Sequence, residues 1–131
     1  MLTALLDGGS EVNLMPLSTC EELGLILDTN ISWAVRNADT RAMRLRGVCH
    51  EVPIEVGRIM EKFHIFVTEN CRYELILGRP WEAAVRAMYR NLDNGLCWVK
   101  VHLRDGACVV QLMVTAPDHP HDRERVREAD F

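Results

Sequence analysis

The sequence has no apolar run that approaches the ~18 residues of a membrane-spanning helix. Its opening, Met1-Leu2-Thr3, carries neither a basic region nor a long apolar stretch, so a secretory signal is not expected. Basic excess is also missing. The 15 Lys and Arg residues stand against 19 Asp and Glu, a formal net charge of −4, and no Lys/Arg block occurs. Neither nucleic acid nor a membrane is therefore the expected partner. No Cys-x-x-Cys occurs among the five cysteines, Cys20, Cys49, Cys71, Cys97 and Cys108. Zinc and disulfide frameworks need tighter, paired spacing. The cysteines read as reduced, mostly buried thiols, and the chain as intracellular and cytoplasmic. His119 and His121 form a His-x-His in a polar tail, a weak signal alone, so no metal and no cofactor is expected.

What is present suits one compact domain. The chain has 131 residues, 48% of them apolar, enough to enclose one core. Residues 2–7 form an apolar run into Asp7-Gly8-Gly9-Ser10, which reads as a buried strand entering a tight turn. Val12 to Met15 reads as a second short strand. Pro16 opens a helix over Ser18 to Leu23, and Gly24 stops it. Ile31 to Val35 alternates as a strand and Asn37 to Thr40 is a turn cluster. Met43 to Cys49 returns, with Gly47 as a bulge or bend. Glu51 to Val56 alternates again, and Pro53 points to an edge. His64 to Val67 and Leu75 to Leu77 are further strands.

Pro80 starts a second helix, predicted from Trp81 to Arg90 because Trp81, Ala84, Val85 and Met88 recur at spacings of three and four. The same stripe reads as core, as do Trp33 and Trp81, while Trp98 is either core or an exposed contact. Leu96 to Leu103 pairs with Ala107 to Val114 across Arg104-Asp105-Gly106, a strong hairpin signal. Residues 1–116 thus make one mostly β domain with two short helices, and 117–131 a polar, disordered tail.

An Asp at the end of an apolar strand, followed by two glycines and a serine, has two readings. The flexible loop lets backbone N–H groups approach and hold an ionised carboxylate, with Ser10 as a further donor. Alternatively, Asp7 only caps its own turn. A second motif, Ile76-Leu77-Gly78-Arg79-Pro80-Trp81, lies about 70 residues on. With Ala4-Leu5-Leu6-Asp7-Gly8-Gly9-Ser10-Glu11, Leu23-Gly24-Leu25 and Gly47, it resembles the retropepsin-like aspartic proteases. The resemblance is nearest to the protease segment of Ty3/gypsy-type retrotransposon polyproteins and their domesticated relatives, and it covers roughly residues 3–90.

The resemblance implies a closed β-barrel of the acid-protease type, assembled as a homodimer that cleaves an extended polypeptide. One Asp7 from each subunit would hold the attacking water. Two carboxylates in contact share one proton, so one acts as base and the other donates to the scissile carbonyl. It implies that Asn37, Ala38, Asp39 and Thr40 lie in a flap over substrate, although the same residues also suit an ordinary exposed hairpin. It further implies an ion pair between Arg79 and Glu11 that ties the catalytic loop to the late helix.

Two features depart from the family. Gly8 stands where the family has Ser or Thr, whose hydroxyl braces the two aspartates across the dimer. Only six residues precede Asp7, where the family has a further strand or two, so the chain reads as N-terminally truncated. Two functions follow from the resemblance: an aspartic endopeptidase of a retroelement polyprotein, or an inactive dimerisation or peptide-binding module on the same fold.

Overall fold

The structure, a computed structural model, describes residues 2–30, 45–69, 71–103, 106 and 109–115. Ten elements follow in order: β1 (Ala4–Leu6), β2 (Asn13–Pro16), α1 (Leu17–Glu22), β3 (Leu45–Val56), β4 (Ile59–Thr68), β5 (Leu75–Leu77), α2 (Arg79–Ala84), β6 (Met88–Asn91), β7 (Leu96–His102) and β8 (Val109–Thr115). The predicted strand at 31–35, the 37–40 turn and the 117–131 tail lie outside the described residues.

The strands form two sheets. Five run in the order β1-β5-β2-β4-β3, and three in the order β6-β7-β8. β1 and β2 are consecutive in the chain yet not neighbours, because β5 lies between them. It runs parallel to β1 (Leu6 opposite Leu77) and antiparallel to β2 (Leu14 opposite Ile76). The 7–12 loop joining β1 to β2 must therefore cross the end of β5, and residue 78 passes directly against it. This crossing positions the site.

β3 and β4 form the longest hairpin. Gly57 and Arg58 both have positive φ (56° and 73°), as a two-residue hairpin turn matched to strand twist requires. The two stretches read separately as Met43 to Cys49 and Glu51 to Val56 are parts of one strand. It is interrupted by register shifts between Leu45 and Gly47 and between Cys49 and Val52. The first is the bulge that Gly47 led us to expect. Pro53 sits on β3, the outer strand of its sheet, where a missing ladder donor costs least.

Among the described residues the strands do not close into the expected barrel. Within those residues the strands β6, β7 and β8 pair as strands only with one another, so the core is enclosed by packing between two sheets. Val99 and Val101 of β7 are fully buried in the cluster that holds Ile54, Ile65, Trp81 and Val85. The hairpin tip closes the other side: a Cβ at Gly57 would stand 2.8 Å from Val110 Cγ1.

The late helix is shorter than the sequence pattern predicts. It ends at Ala84, Arg86 takes a positive φ of 48°, and Met88 begins β6 instead of the fourth position of an apolar stripe. Trp81 and Val85 are buried, whereas Met88 is 60% exposed. Pairing of Met88–Asn91 with β7 and the His102 N–H donating to Val85 O (2.8 Å) draw the chain into the second sheet. No glycine announces this stop.

Candidate active site

Asp7 leaves β1 at the crossing. Its backbone N–H donates to Leu77 O (2.9 Å), which continues the β1–β5 ladder by one residue and fixes where the side chain emerges. The Gly9 N–H donates to Asp7 Oδ1 (3.0 Å), and the Ser10 N–H to Asp7 O (3.0 Å). A half-buried carboxylate is thus oriented by one backbone donor while keeping access to solvent. The Ser10 hydroxyl donates not to the carboxylate but to Val12 O (2.8 Å), so it closes the loop rather than charging the site.

The second motif holds this loop through its backbone. The Gly78 N–H donates to Asn13 Oδ1 (2.8 Å), and the Arg79 N–H donates to Ser10 O (2.8 Å). Gly78 has φ −97°, open to any residue, so conformation does not demand glycine here. Space does. A Cβ would collide with Val12 O, lie 2.7 Å from Ser10 O and 2.9 Å from Val12 C, all backbone atoms. Ile76 and Leu77 are the β5 partners of Leu5 and Leu6.

The expected ion pair takes a different partner. The Arg79 guanidinium reaches Glu82 Oε1 at 2.9 Å, one helical turn on, and Glu11 is exposed with no ion pair among the described residues. Positions i and i+3 share a helix face, and Arg79, 63% exposed, gains this contact without desolvation. The tie between the Asp7 loop and the late helix therefore runs through the Arg79 N–H rather than its side chain.

Gly8 has a distinct neighbour. A Cβ there would lie 2.5 Å from Glu82 Oε2, so this carboxylate fills the place that a residue-8 side chain would take. Glu82 is only 17% exposed and accepts a further hydrogen bond from the Tyr89 hydroxyl (3.1 Å). Burial, and secondarily the Glu82 charge, pushes the Tyr89 phenol up from its ordinary value. Asn13, Glu82 and Tyr89 were not singled out in the sequence. For Asn13 a signal existed, an amide inside the apolar run Val12-Asn13-Leu14-Met15. It is 1% exposed, and its Nδ2 has no partner among the described residues.

The flap residues Asn37, Ala38, Asp39 and Thr40 lie outside the described residues. An apolar cavity of about 140 Å³, lined in part by Ala4, Met15, Leu25, Ile54 and Leu75, lies on the core side of the sheet, and Asp7 does not line it. Among the described residues no three His, Cys, Asp or Glu side chains converge on a metal position. No helix among them is long and apolar enough to cross a membrane.

A β5 strand inserted between β1 and β2, with an Asp-Gly-Gly loop crossing its end, is consistent with a retropepsin-like fold. Solved structures match accordingly. The retroviral protease-like domain of Ddi1 from Leishmania major superposes with a TM-score of 0.62, covering 85% of this chain and 84% of that one, at 22% identity. No protein-family model and no curated protein sequence matches the chain. At this identity the likeness is one of fold.

Proposed function

We propose that the chain is an aspartic endopeptidase of the retropepsin type, its site completed by a second copy that contributes another Asp7, acting on an extended peptide of a retroelement polyprotein. The observation that carries this reading is the Asp7 carboxylate, pinned by the Gly9 N–H at 3.0 Å and aimed from a strand end locked to Leu77. One chain supplies a single such carboxylate, so water-mediated hydrolysis requires two chains sharing one proton between the aspartates. The ionised Asp7 takes a proton from water, and its protonated partner donates to the scissile carbonyl oxygen.

A second reading rests on position 8. Gly8 has no hydroxyl to brace the partner loop, and Glu82 fills that space with a carboxylate. Such a domain keeps dimerisation or peptide binding and loses the chemistry. Sedimentation velocity and peptide cleavage at mildly acidic pH separate the two. An endopeptidase dimerises, cleaves unstructured peptides, is inhibited by a statine-type mimic and loses activity in Asp7→Asn. A dimer without cleavage selects the second reading. A strict monomer at high concentration, or cleavage surviving Asp7→Asn, rejects the first.

A further inference from the structure

A group of ionisable side chains lies on the solvent side of the β3–β4 hairpin, using none of the residues of the Asp7 loop. His50 Nδ1 and His64 Nδ1 are 3.1 Å apart, with the rings nearly perpendicular at 83°. The outer nitrogens face carboxylates. His50 Nε2 lies 2.8 Å from Asp28 Oδ2, and His64 Nε2 lies 3.9 Å from Glu51 Oε1.

The β-ladder explains the arrangement. Cys49 pairs with Ile65 and Val52 with Phe63, so two residues, His50 and Glu51, oppose the single residue His64. A regular strand would send His50 and Glu51 to opposite faces. The bulge leaves both exposed while Cys49 and Val52 remain buried. Its cost is visible at Glu51, a non-glycine residue at φ 52°. Asp28 is set with equal care. Its backbone exchanges two 2.9 Å hydrogen bonds with Val48, and its Oδ1 accepts the Asn30 N–H.

Asp28 sets the tautomer of His50. The Asp28 carboxylate beside His50 Nε2 keeps the proton there, which leaves His50 Nδ1 as a lone pair facing His64 Nδ1. Without a metal that lone pair accepts the His64 Nδ1–H; a divalent ion would take both Nδ1 atoms once the His64 proton moves to Nε2, beside Glu51. The spacing matches two nitrogens on one metal: bonds of about 2.0–2.1 Å at 90–109° span roughly 2.8–3.4 Å. An outer N–H held by a carboxylate is also the usual second partner of a metal-bound imidazole. Both rings are about half exposed (42% and 53%), open to an ion that completes its coordination with water.

We propose that His50 and His64 form a two-histidine site for an imidazole-preferring divalent ion, Cu²⁺ before Ni²⁺ or Zn²⁺, with Asp28 as the positioning residue of His50. The ion would bridge β3 and β4 beside the bulge. Asp28 would orient the ring without touching the metal.

The test uses the full chain carrying His119→Ala and His121→Ala, which removes the His-x-His of the tail as a rival. Titration with NiSO₄ or ZnCl₂ alone, read by calorimetry and by imidazole nitrogen NMR, should give one ion per chain. Both Nδ1 resonances should move together. His50→Ala and His64→Ala should each weaken binding at least tenfold, Asp28→Asn about tenfold, and His102→Ala not at all. Binding should weaken as pH falls, since protons compete for the same nitrogens. Absence of binding at millimolar metal overturns the proposal. So does binding undiminished in His50→Ala/His64→Ala, or Nδ1 resonances that stay in place while metal binds. A thermal melt of each variant, expected to keep a single cooperative transition, guards against a folding artefact.

Discussion

Replacing Gly78 by Ala tests whether the crossing of the 7–12 loop over β5 is as tight as the geometry states. The new methyl would meet Val12 O, Ser10 O and Val12 C, which are backbone atoms in a loop held from both ends. Overpacking of this kind costs about 2–3 kcal/mol when nothing yields. If the backbone yields instead, the 2.8 Å bonds from Gly78 N–H to Asn13 Oδ1 and from Arg79 N–H to Ser10 O lengthen. That loses about 1 kcal/mol each and strands a buried acceptor on Asn13. Alanine also has less freedom than glycine in the unfolded chain, which returns about 0.4–1 kcal/mol. The net expectation is a destabilisation of about 2 kcal/mol, or a fall in Tm of roughly 8 °C for a domain of this size. Gly8→Ala is the matched control. The nearest atoms to its Cβ are those of the Glu82 carboxylate, the far end of a side chain that can swing away, so its cost should stay below about 1 kcal/mol. Urea unfolding at equilibrium, with equal slopes for all three proteins, reads both values. A Gly78→Ala cost below about 1 kcal/mol, or equal costs at the two glycines, would refute the reasoning.

Gly8→Thr places a hydroxyl where the Glu82 carboxylate now lies. Dimer affinity by sedimentation should rise several-fold if the missing brace limits assembly, and no change would make the brace irrelevant here. Burial, then the Cys20 sulfur 3.6 Å away, pushes the Cys49 thiol up to about 12. At pH 8 the thiol is therefore protonated and a poor nucleophile. Iodoacetamide should label half-buried Cys71 in the native protein and reach Cys20 and Cys49 only on unfolding. Native labelling of Cys49 at the rate of Cys71, read by peptide mass spectrometry, would contradict this. The His50 hydrogen bond, and secondarily the Asn30 N–H, hold the Asp28 carboxyl below its ordinary 3.8. A depressed folded-state value stabilises the fold above 3.8 and ceases to do so as pH falls through the folded-state value. Carboxyl-carbon NMR should therefore give a midpoint below 3.8 that returns towards 3.8 in His50→Ala, and an unchanged midpoint would reject the contact.

The sequence by itself determined the local chemistry. Apolar runs ending in Gly or Pro mark β1, β5 and the starts of both helices. Gly24, at φ 64°, ends α1 where a glycine stop was expected, and Gly47 marks a bulge. The two motifs, 7–11 and 76–81, were legible as motifs because each depends on a few adjacent residues. What joins them was not legible, because strand order is a contact between distant segments. Only the tertiary structure inserted β5 between β1 and β2, and so made Gly78 a matter of space and Asn13 its acceptor. The same holds for the errors. Met88 fits a helical stripe by spacing, yet pairing with β7 outweighs that local preference. Arg79 was expected to reach Glu11, yet Glu82 lies on its own helix face and is nearer. The His50–His64 contact depends on a bulge that adds one residue to one strand, and a register shift leaves no trace in composition or spacing. Short-range stereochemistry is written residue by residue. Which strand lies beside which is decided by burying one core between two sheets.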